Sequence, residues 1–292
     1  MGTRGAGVAG VLMLALAAGA GRAEAPAAQV VQATVKVVSP RSSAAALVVT
    51  RAGPDKTEER FLVTAAHVFE QANGPEMSVL WRVRTADGDY QKKPAPVAIR
   101  KDGKPLWRQP PGVDAAVLAV RPPEGVALAR LPVEAFADEA AWQKLDVAPG
   151  DAILSCGFPH QEESHPAGFP VVRRGGVASF PLPPHRSVRT FTLDLNTFEG
   201  DSGGPVFLAR GRGGDERGPV VLGLITGQRF LDEEAKLIYE GVRVRHRLGL
   251  ALAVPSPVIR EVLAAASGPA PLPSPAPVPA PLGEGKPSQP SP

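Results

Sequence analysis

The chain has 292 residues, of which 43% are hydrophobic, so it is long and apolar enough to form a sizeable core. Its 32 basic and 29 acidic side chains leave a net charge of +3, which is too small to indicate nucleic-acid binding. The single cysteine, Cys156, excludes a disulfide within the chain. Its place in an apolar segment predicts a small buried side chain rather than a nucleophile.

Residues 1–25 have the pattern of a secretory signal peptide. Arg4 precedes the apolar segment from Val8 to Ala18, which is too short for a typical membrane span, and small residues suited to cleavage follow it. An uncleaved N-terminal anchor is the alternative. No later apolar segment has the length of a membrane span, so we expect an exported protein, periplasmic or extracellular, without stable membrane insertion.

Residues 26–266 are expected to form one domain rich in β-strands. Short apolar segments, beginning with Val30–Val38, alternate with turn residues at a spacing typical of an all-β sandwich or barrel. They fall into two sets, one over about residues 28–121 and one over about residues 146–254. A stretch punctuated by proline and glycine, with a helix-like insert near residues 134–145, connects the two sets.

Two different segments are predicted at the C-terminal end. Ser256 as N-cap, followed by Pro257 at the first helical position, predicts a short helix over residues 256–266. Residues 267–292 are rich in proline and cannot bury a core, so they are expected to form an extended, disordered tail.

Three motifs carry the candidate chemistry. His67 ends the segment TAAH after an apolar strand, Asp114 precedes the apolar segment AAVLAV, and Ser202 lies in the glycine-rich turn GDSGGP. A serine hydroxyl is a weak nucleophile at neutral pH, so it needs a general base, which a carboxylate can orient. Taken singly, the motifs have structural alternatives: a hairpin turn, a structural histidine and a capping aspartate.

In this order, the motifs resemble those of the trypsin-like (chymotrypsin-fold) serine peptidases. The resemblance implies an all-β fold class, with two six-stranded antiparallel β-barrels, the active site in the cleft between them, and a short C-terminal helix. The apolar segment before that helix resembles the end of bacterial HtrA/Deg-like protease domains, but no PDZ module is expected after it.

By this resemblance, Ser202 is the nucleophile, His67 is the general base, and Asp114 orients the imidazole. The N–H groups of Gly200 and Ser202 would form the oxyanion hole. No cofactor is implied, and the other histidines show no compact metal-binding pattern, so no metal is expected. The partner of Asp201 stays open: zymogen-activated members pair the matching aspartate with a freshly cut N-terminus, and no clear activation site precedes the first strand.

Substrate recognition is expected beside the nucleophile. By the same resemblance, Asn196 lines the floor of the primary pocket, and Thr226, Gly227 and Gln228 flank it. Because Asn196 is neutral, a small or medium apolar side chain is expected at the cleaved position rather than arginine or lysine. The alternative is that His246 reaches the pocket and selects acidic side chains.

The sequence therefore predicts an exported serine endopeptidase that cleaves proteins or peptides through an acyl-enzyme. Two alternatives remain open at this point. One is a non-proteolytic binding or regulatory protein on a peptidase scaffold, and the other is an esterase that uses the same three residues. The sequence makes no prediction of the oligomeric state.

Overall fold

The computed structural model describes residues 25–40, 42–53, 57–208, 218–236 and 241–266. All but the last residue of the predicted signal peptide, and the whole predicted proline-rich tail, lie outside these residues. Within the described ranges, no helix combines the length and apolar character needed to cross a membrane.

The N-terminal half forms a six-stranded antiparallel sheet with the strand order β5-β4-β1-β2-β3-β8. These strands are β1 (Thr34–Ser39), β2 (Ser42–Ala52), β3 (Glu58–Thr64), β4 (Glu76–Arg84), β5 (Tyr90–Ala98) and β8 (Ala116–Ala119). The short strands β6 (Arg100–Lys101) and β7 (Lys104–Pro105) pair separately, and helices α1 (Pro26–Ala33) and α2 (Ala66–Glu70) flank β1 and β3.

The C-terminal half forms a closed antiparallel barrel with the order β10-β11-β14-β13-β12-β9. Its strands are β9 (Ala152–Gly157), β10 (Val171–Val177), β11 (Phe191–Asp194), β12 (Pro205–Leu208), β13 (Val221–Lys236) and β14 (Gly241–Pro255). Helix α3 (Glu139–Leu145) lies in the connection between the halves, and α4 (Ser256–Ala265) follows the last strand.

The predicted fold class is confirmed: the chain is mostly β, with two six-stranded antiparallel units and a C-terminal helix. Strand pairing closes only the second unit into a barrel, because β5 and β8 do not pair with each other in the described structure. Pro94 and Pro96 of β5 lack an N–H donor, so this strand is suited to the edge of a sheet.

Strand β2 joins the two units through its two faces. Ala44, Ala46 and Val48 pack inside the first unit, whereas Leu47 and Val49 pack into a core shared with the second barrel and α4. Since successive side chains of a strand point to opposite faces, one strand can serve both cores, which explains its unbroken run of buried residues. This shared core fixes the relative position of the two units.

Two local predictions were wrong. The strand expected at Val30–Val38 begins at Thr34, because the preceding residues form α1, whose Val30 and Ala33 are buried in the shared core. Ser256 does not cap α4. Its hydroxyl instead donates to the carbonyl of Ala137 (2.6 Å) and accepts from the indole N–H of Trp142 (2.9 Å).

Candidate active site

The turn that carries Ser202 connects β11 to β12 and is held by backbone contacts from both units. The carbonyl of Ser202 accepts the N–H of Ala45 (2.9 Å), and the N–H of Gly203 donates to the carbonyl of Ile225 (2.7 Å). Gly203 has a φ of +80°, and a Cβ there would collide with the carbonyl of Ala45 and the hydroxyl of Thr64. Glycine is therefore required for the close approach that fixes Ser202.

The pairing of two neighbouring strands brings His67 and Asp114 together. His67 lies in α2, just after β3, and Asp114 lies just before β8, which pairs with β3. Asp114 accepts two hydrogen bonds from His67, at Oδ1 from the backbone N–H (2.9 Å) and at Oδ2 from Nδ1 (2.7 Å). Burial acts to raise the pKa of Asp114, but the hydrogen bonds from His67 outweigh it and lower this pKa below its ordinary value.

His67 links the carboxylate to the serine. Its Nε2 lies 3.0 Å from Ser202 Oγ. Because Nδ1 faces an ionised carboxylate, the proton of the neutral imidazole belongs on Nδ1, and Nε2 is left as an acceptor for the Ser202 hydroxyl. The arrangement can remove a proton from Ser202 and deliver it to another atom in the same place.

The predicted cleft between the units contains this group. A cavity of about 380 Å³ is lined by residues of both halves. They include Ser42, Ser43, Ala44, His67 and Met77 of the first unit and His160, Gln161, Glu199, Gly200 and Ser202 of the second. A substrate bound there would meet the side chains of both units at once.

Two backbone N–H groups of the Ser202 turn have no partner among the described residues. Within the described residues, the N–H groups of Gly200 and Ser202 donate no hydrogen bond. The carbonyl of Glu199 accepts the N–H of His160 (2.7 Å), and the carbonyl of Gly200 accepts the N–H of Phe158 (3.2 Å). Because C=O and N–H point in opposite directions across a trans peptide, the Gly200 N–H points away from His160. Both donors are available to an oxygen atom at the nucleophile.

Comparison with models of known protein families shows which family the chain belongs to. Residues 25–213, well over half of the chain, match the model described as a trypsin-like peptidase domain. The chain belongs to the trypsin-like peptidase family. The resemblance predicted from the three motifs is therefore confirmed. No curated protein matches the sequence.

Two similar solved structures are of the Rv3671c protease of M. tuberculosis H37Rv. One is the inactive form of a serine-to-alanine mutant, 18% identical, covering 82% of this chain and 88% of that chain with a TM-score of 0.45. The other is an inactive form of the protease, 20% identical, covering 82% of this chain and 90% of that chain with a TM-score of 0.43.

In this trypsin-like domain, Asp201 finds its partner inside the barrel. Its side chain is only 2% exposed, and Oδ2 accepts the N–H of Phe198 (2.7 Å) and lies 2.6 Å from Nη2 of Arg173 on β10. In the described structure, neither Nη2 nor Asp201 Oδ1 completes a well-directed hydrogen bond, so the attraction is mainly electrostatic. Arg173 Nη1 also donates to the carbonyl of Asn196 (2.7 Å). The guanidinium of Arg173 thus contacts both the first and the last residue of segment 196–201.

The charge balance at Asp201 depends on this cation. Burial raises the pKa of Asp201, and the nearby Arg173 opposes that rise. A carboxylate buried to this extent is costly unless a cation or hydrogen bonds compensate it. Arg173 is therefore the partner of Asp201, which the sequence did not identify.

The residues predicted to flank the primary pocket follow, along β13, a residue that binds the Ser202 turn. Thr226, Gly227 and Gln228 are half-buried and follow Ile225 on β13, whose carbonyl is bonded to Gly203. The pairing of β13 with β14 is irregular over this segment. The described residues that line the cavity at Ser202 do not include these three, so their contact with a substrate stays a prediction.

Two other predicted specificity residues are exposed. The side chain of Asn196 lies beside Gly249, close to where a Cβ at that glycine would stand. His246 is on the part of β14 that extends out of the barrel, and its Nε2 lies 3.1 Å from Glu233. The structure pairs His246 with this carboxylate rather than with a residue of the Ser202 turn.

Cys156 is confirmed as a buried residue. It is fully inaccessible, its sulfur lies 3.3 Å from the hydroxyl of Thr34, and burial raises its pKa to about 12. A thiol with so high a pKa stays protonated at neutral pH and is a poor nucleophile. Among the described residues, no three metal-ligating side chains form a cluster.

Sequence reasoning missed the residues that hold the turn, namely Arg173, Ala45 and Phe158–His160. The burial of Asp201, which requires a compensating cation, is visible only in the structure. With 32 lysines and arginines in the chain, the sequence offered no way to choose Arg173, because the choice follows from the pairing of β10 with β9 inside the barrel.

Proposed function

We propose that the chain is an exported serine endopeptidase that hydrolyses peptide bonds through His67, Asp114 and Ser202. The observation that carries the proposal is the unbroken hydrogen-bond chain from Asp114 to His67 (2.7 Å) and from His67 to Ser202 (3.0 Å) in a cleft between the units. Membership of the trypsin-like family supports it. The signal-peptide pattern of residues 1–25 supports export to the periplasm or the medium.

In this mechanism, Ser202 Oγ attacks the carbonyl carbon of the scissile bond while His67 Nε2 takes the hydroxyl proton. The carbonyl oxygen becomes an oxyanion and accepts hydrogen bonds from the N–H groups of Gly200 and Ser202. His67 then gives its proton to the departing amine, and an acyl ester on Ser202 remains. Water attacks this ester with His67 again acting as base, which releases the acid and restores the serine.

Substrate selection is proposed at Asn196 and at the β13 edge, Thr226 to Gln228. Because Asn196 carries no charge, a small or medium apolar side chain is the favoured residue at the cleaved position. A peptide-library profile dominated by arginine and lysine would contradict this part of the proposal.

The first test is fluorophosphonate labelling of the purified mature protein beside Ser202→Ala and His67→Ala variants. Labelling should vanish in Ser202→Ala and fall sharply in His67→Ala, because the probe reacts only with an activated serine. Ser187→Ala is the matched control, since Ser187 is exposed and its hydroxyl bonds to the carbonyl of Pro184 rather than lining the cleft, and it should label like the wild type.

Hydrolysis of casein and of 4-nitrophenyl acetate then separates the possible activities. Casein cleavage that is lost in Ser202→Ala establishes a peptidase. Turnover of the ester alone would indicate the esterase alternative. A folded wild type that neither labels nor cleaves would overturn the proposal and favour a binding protein on the same scaffold.

A further inference from the structure

Lys36 reaches across the interface between the two units. It lies on β1 of the first sheet and is only 5% exposed, yet its Nζ donates to the carbonyl of Gln161 (2.7 Å) and to Glu163 Oε1 (3.1 Å) in the second unit. A buried ammonium group is costly unless it is paired and hydrogen-bonded. These contacts supply that compensation and bind β1 to the segment that follows β9.

That segment has a backbone conformation that needs support. His160 and Gln161 have φ values of +49° and +69°, in the left-handed region that residues other than glycine rarely adopt. Two such residues in succession persist only where surrounding contacts hold them. The N–H of Gln161 donates to the carbonyl of Phe158 (2.8 Å), and Lys36 holds the carbonyl of Gln161 from the other side.

The same segment determines the direction of the Gly200 N–H. His160 binds the carbonyl of Glu199, and Phe158 binds the carbonyl of Gly200. Because the Gly200 N–H is opposite the Glu199 carbonyl in one planar peptide, any rotation of this peptide turns the donor away from an oxygen at Ser202. A shift at His160 would therefore reach the oxyanion donor through a single hydrogen bond.

We propose that Lys36 is a positioning residue that keeps the Gly200 N–H directed at the oxyanion by holding residues 158–161. The proposal rests on the proposed hydrolytic function of Ser202. In the described structure, Lys36 makes no hydrogen bond or ion pair with His67 or Ser202, so its effect should appear in the stabilisation of the oxyanion rather than in proton transfer.

Lys92 offers a matched control. Its Nζ lies 2.6 Å from Oε2 of Glu163, so it pairs with the same carboxylate as Lys36. In the described structure it makes no hydrogen bond to Gln161, and its side chain is 37% exposed. Replacing either lysine by methionine removes one positive charge beside Glu163, but only the change at Lys36 frees the carbonyl of Gln161.

The experiment compares wild type, Lys36→Met, Lys36→Gln and Lys92→Met. Removal of one oxyanion donor typically costs about 10²–10³ in kcat, so a displaced donor should slow kcat and fluorophosphonate labelling by about 10- to 100-fold in both Lys36 variants. KM should change little, and both Lys36 variants should remain folded by circular dichroism. Lys92→Met should stay within about two-fold of wild type.

Two ligands distinguish a role of Lys36 in directing the Gly200 N–H from a general role in stabilising the fold. A tetrapeptide aldehyde ending in alaninal forms a hemiacetal oxyanion with Ser202, whereas the matching alaninol binds without one. In Lys36→Met, affinity for the aldehyde should fall by the same factor as kcat, and affinity for the alcohol should be unchanged.

Three results would overturn the proposal: equal effects in Lys36→Met and Lys92→Met, a change confined to KM, or failure of both Lys36 variants to fold while Lys92→Met folds. These outcomes are distinct from failure of the proposed function, in which the wild type itself neither labels nor turns over substrate and both proposals fall together.

Discussion

The two units hold their site residues in different ways. In the first sheet, His67 and Asp114 are 47 positions apart, but pairing of β3 with β8 and two direct hydrogen bonds bring them together. In the second barrel, the Ser202 turn is held by distant groups, including Ala45, His160 and the buried cation of Arg173. The positions of His67 and Asp114 therefore depend on strand register, whereas the position of the Ser202 turn depends on tertiary packing and charge.

The largest expected effect tests the His67–Asp114 pair. Asp114→Asn should lower kcat by about 10³–10⁴-fold with little change in the fold, because an amide no longer selects the imidazole tautomer that leaves Nε2 free. Asp194→Asn, an exposed carboxylate on β11, is the control and should keep full activity. Steady-state kinetics with circular dichroism of both variants would check this, and an active Asp114→Asn variant would remove Asp114 from the mechanism.

The next effect concerns the turn itself. Gly200 has a φ of +98°, and a Cβ there would collide with the carbonyl of Phe158. Gly200→Ala should therefore displace the oxyanion donor and lower kcat by about 10²–10³-fold. Gly88→Ala is the matched control, since Gly88 has a φ of +90° with open space around it. If Gly200→Ala retains the wild-type kcat as Gly88→Ala does, the proposed role of the Gly200 N–H in stabilising the oxyanion is wrong.

Arg173→Met tests the buried charge that holds the same turn. Leaving the carboxylate of Asp201 without its cation should lower the free energy of unfolding by about 3–5 kcal/mol in urea denaturation at neutral pH, and labelling of Ser202 should slow. The double variant with Asp201→Asn should recover part of the stability, because the uncompensated charge is gone. Simple addition of the two single losses would show that the two groups do not interact.

The same loss should depend on pH. Burial raises the pKa of Asp201 above its ordinary value of 3.8, and Arg173 opposes the rise. The native state then holds this proton more tightly than the unfolded state, so the contribution of Asp201 to stability is greatest below pH 3.8 and is lost as pH rises through the native pKa. Removing Arg173 raises that pKa further. The destabilisation by Arg173→Met should therefore be smaller at about pH 4 than at pH 7, and a constant difference would contradict the assignment.

The smallest effect is expected on the exposed part of β14. Arg245 makes two hydrogen bonds to Asp232, at 2.7 and 3.0 Å, but both side chains are exposed. Solvent weakens such pairs, so Arg245→Met should leave the melting temperature and activity unchanged within error. The Arg245–Asp232 and Arg173–Asp201 pairs have similar distances but differ in burial. Comparing the two methionine variants therefore tests whether burial, rather than distance, decides how much each pair stabilises the fold. A loss as large as that of Arg173→Met would reject this explanation.

The sequence by itself determined the parts that depend on local pattern. Alternating apolar segments predicted an all-β fold, Ser256 and Pro257 predicted a C-terminal helix although Ser256 does not cap it, and the three motifs led to the trypsin-like family. The predicted start of the first strand was wrong, because residues 26–33 form a helix. This helix packs into a core that exists only between the two assembled units. The local sequence there, rich in alanine and valine, is compatible with either conformation.

Only the tertiary structure decided how the Ser202 turn is held. Arg173 and Lys36 reach Asp201 and Gln161 from strands far away in sequence, and neither lies in a recognisable motif. Strand patterns depend on side-chain alternation, which is visible in sequence, whereas a buried charge is satisfied by whichever group the packing places within a few ångströms. For that reason the sequence indicated the candidate catalytic residues but not the cations that hold the Ser202 turn.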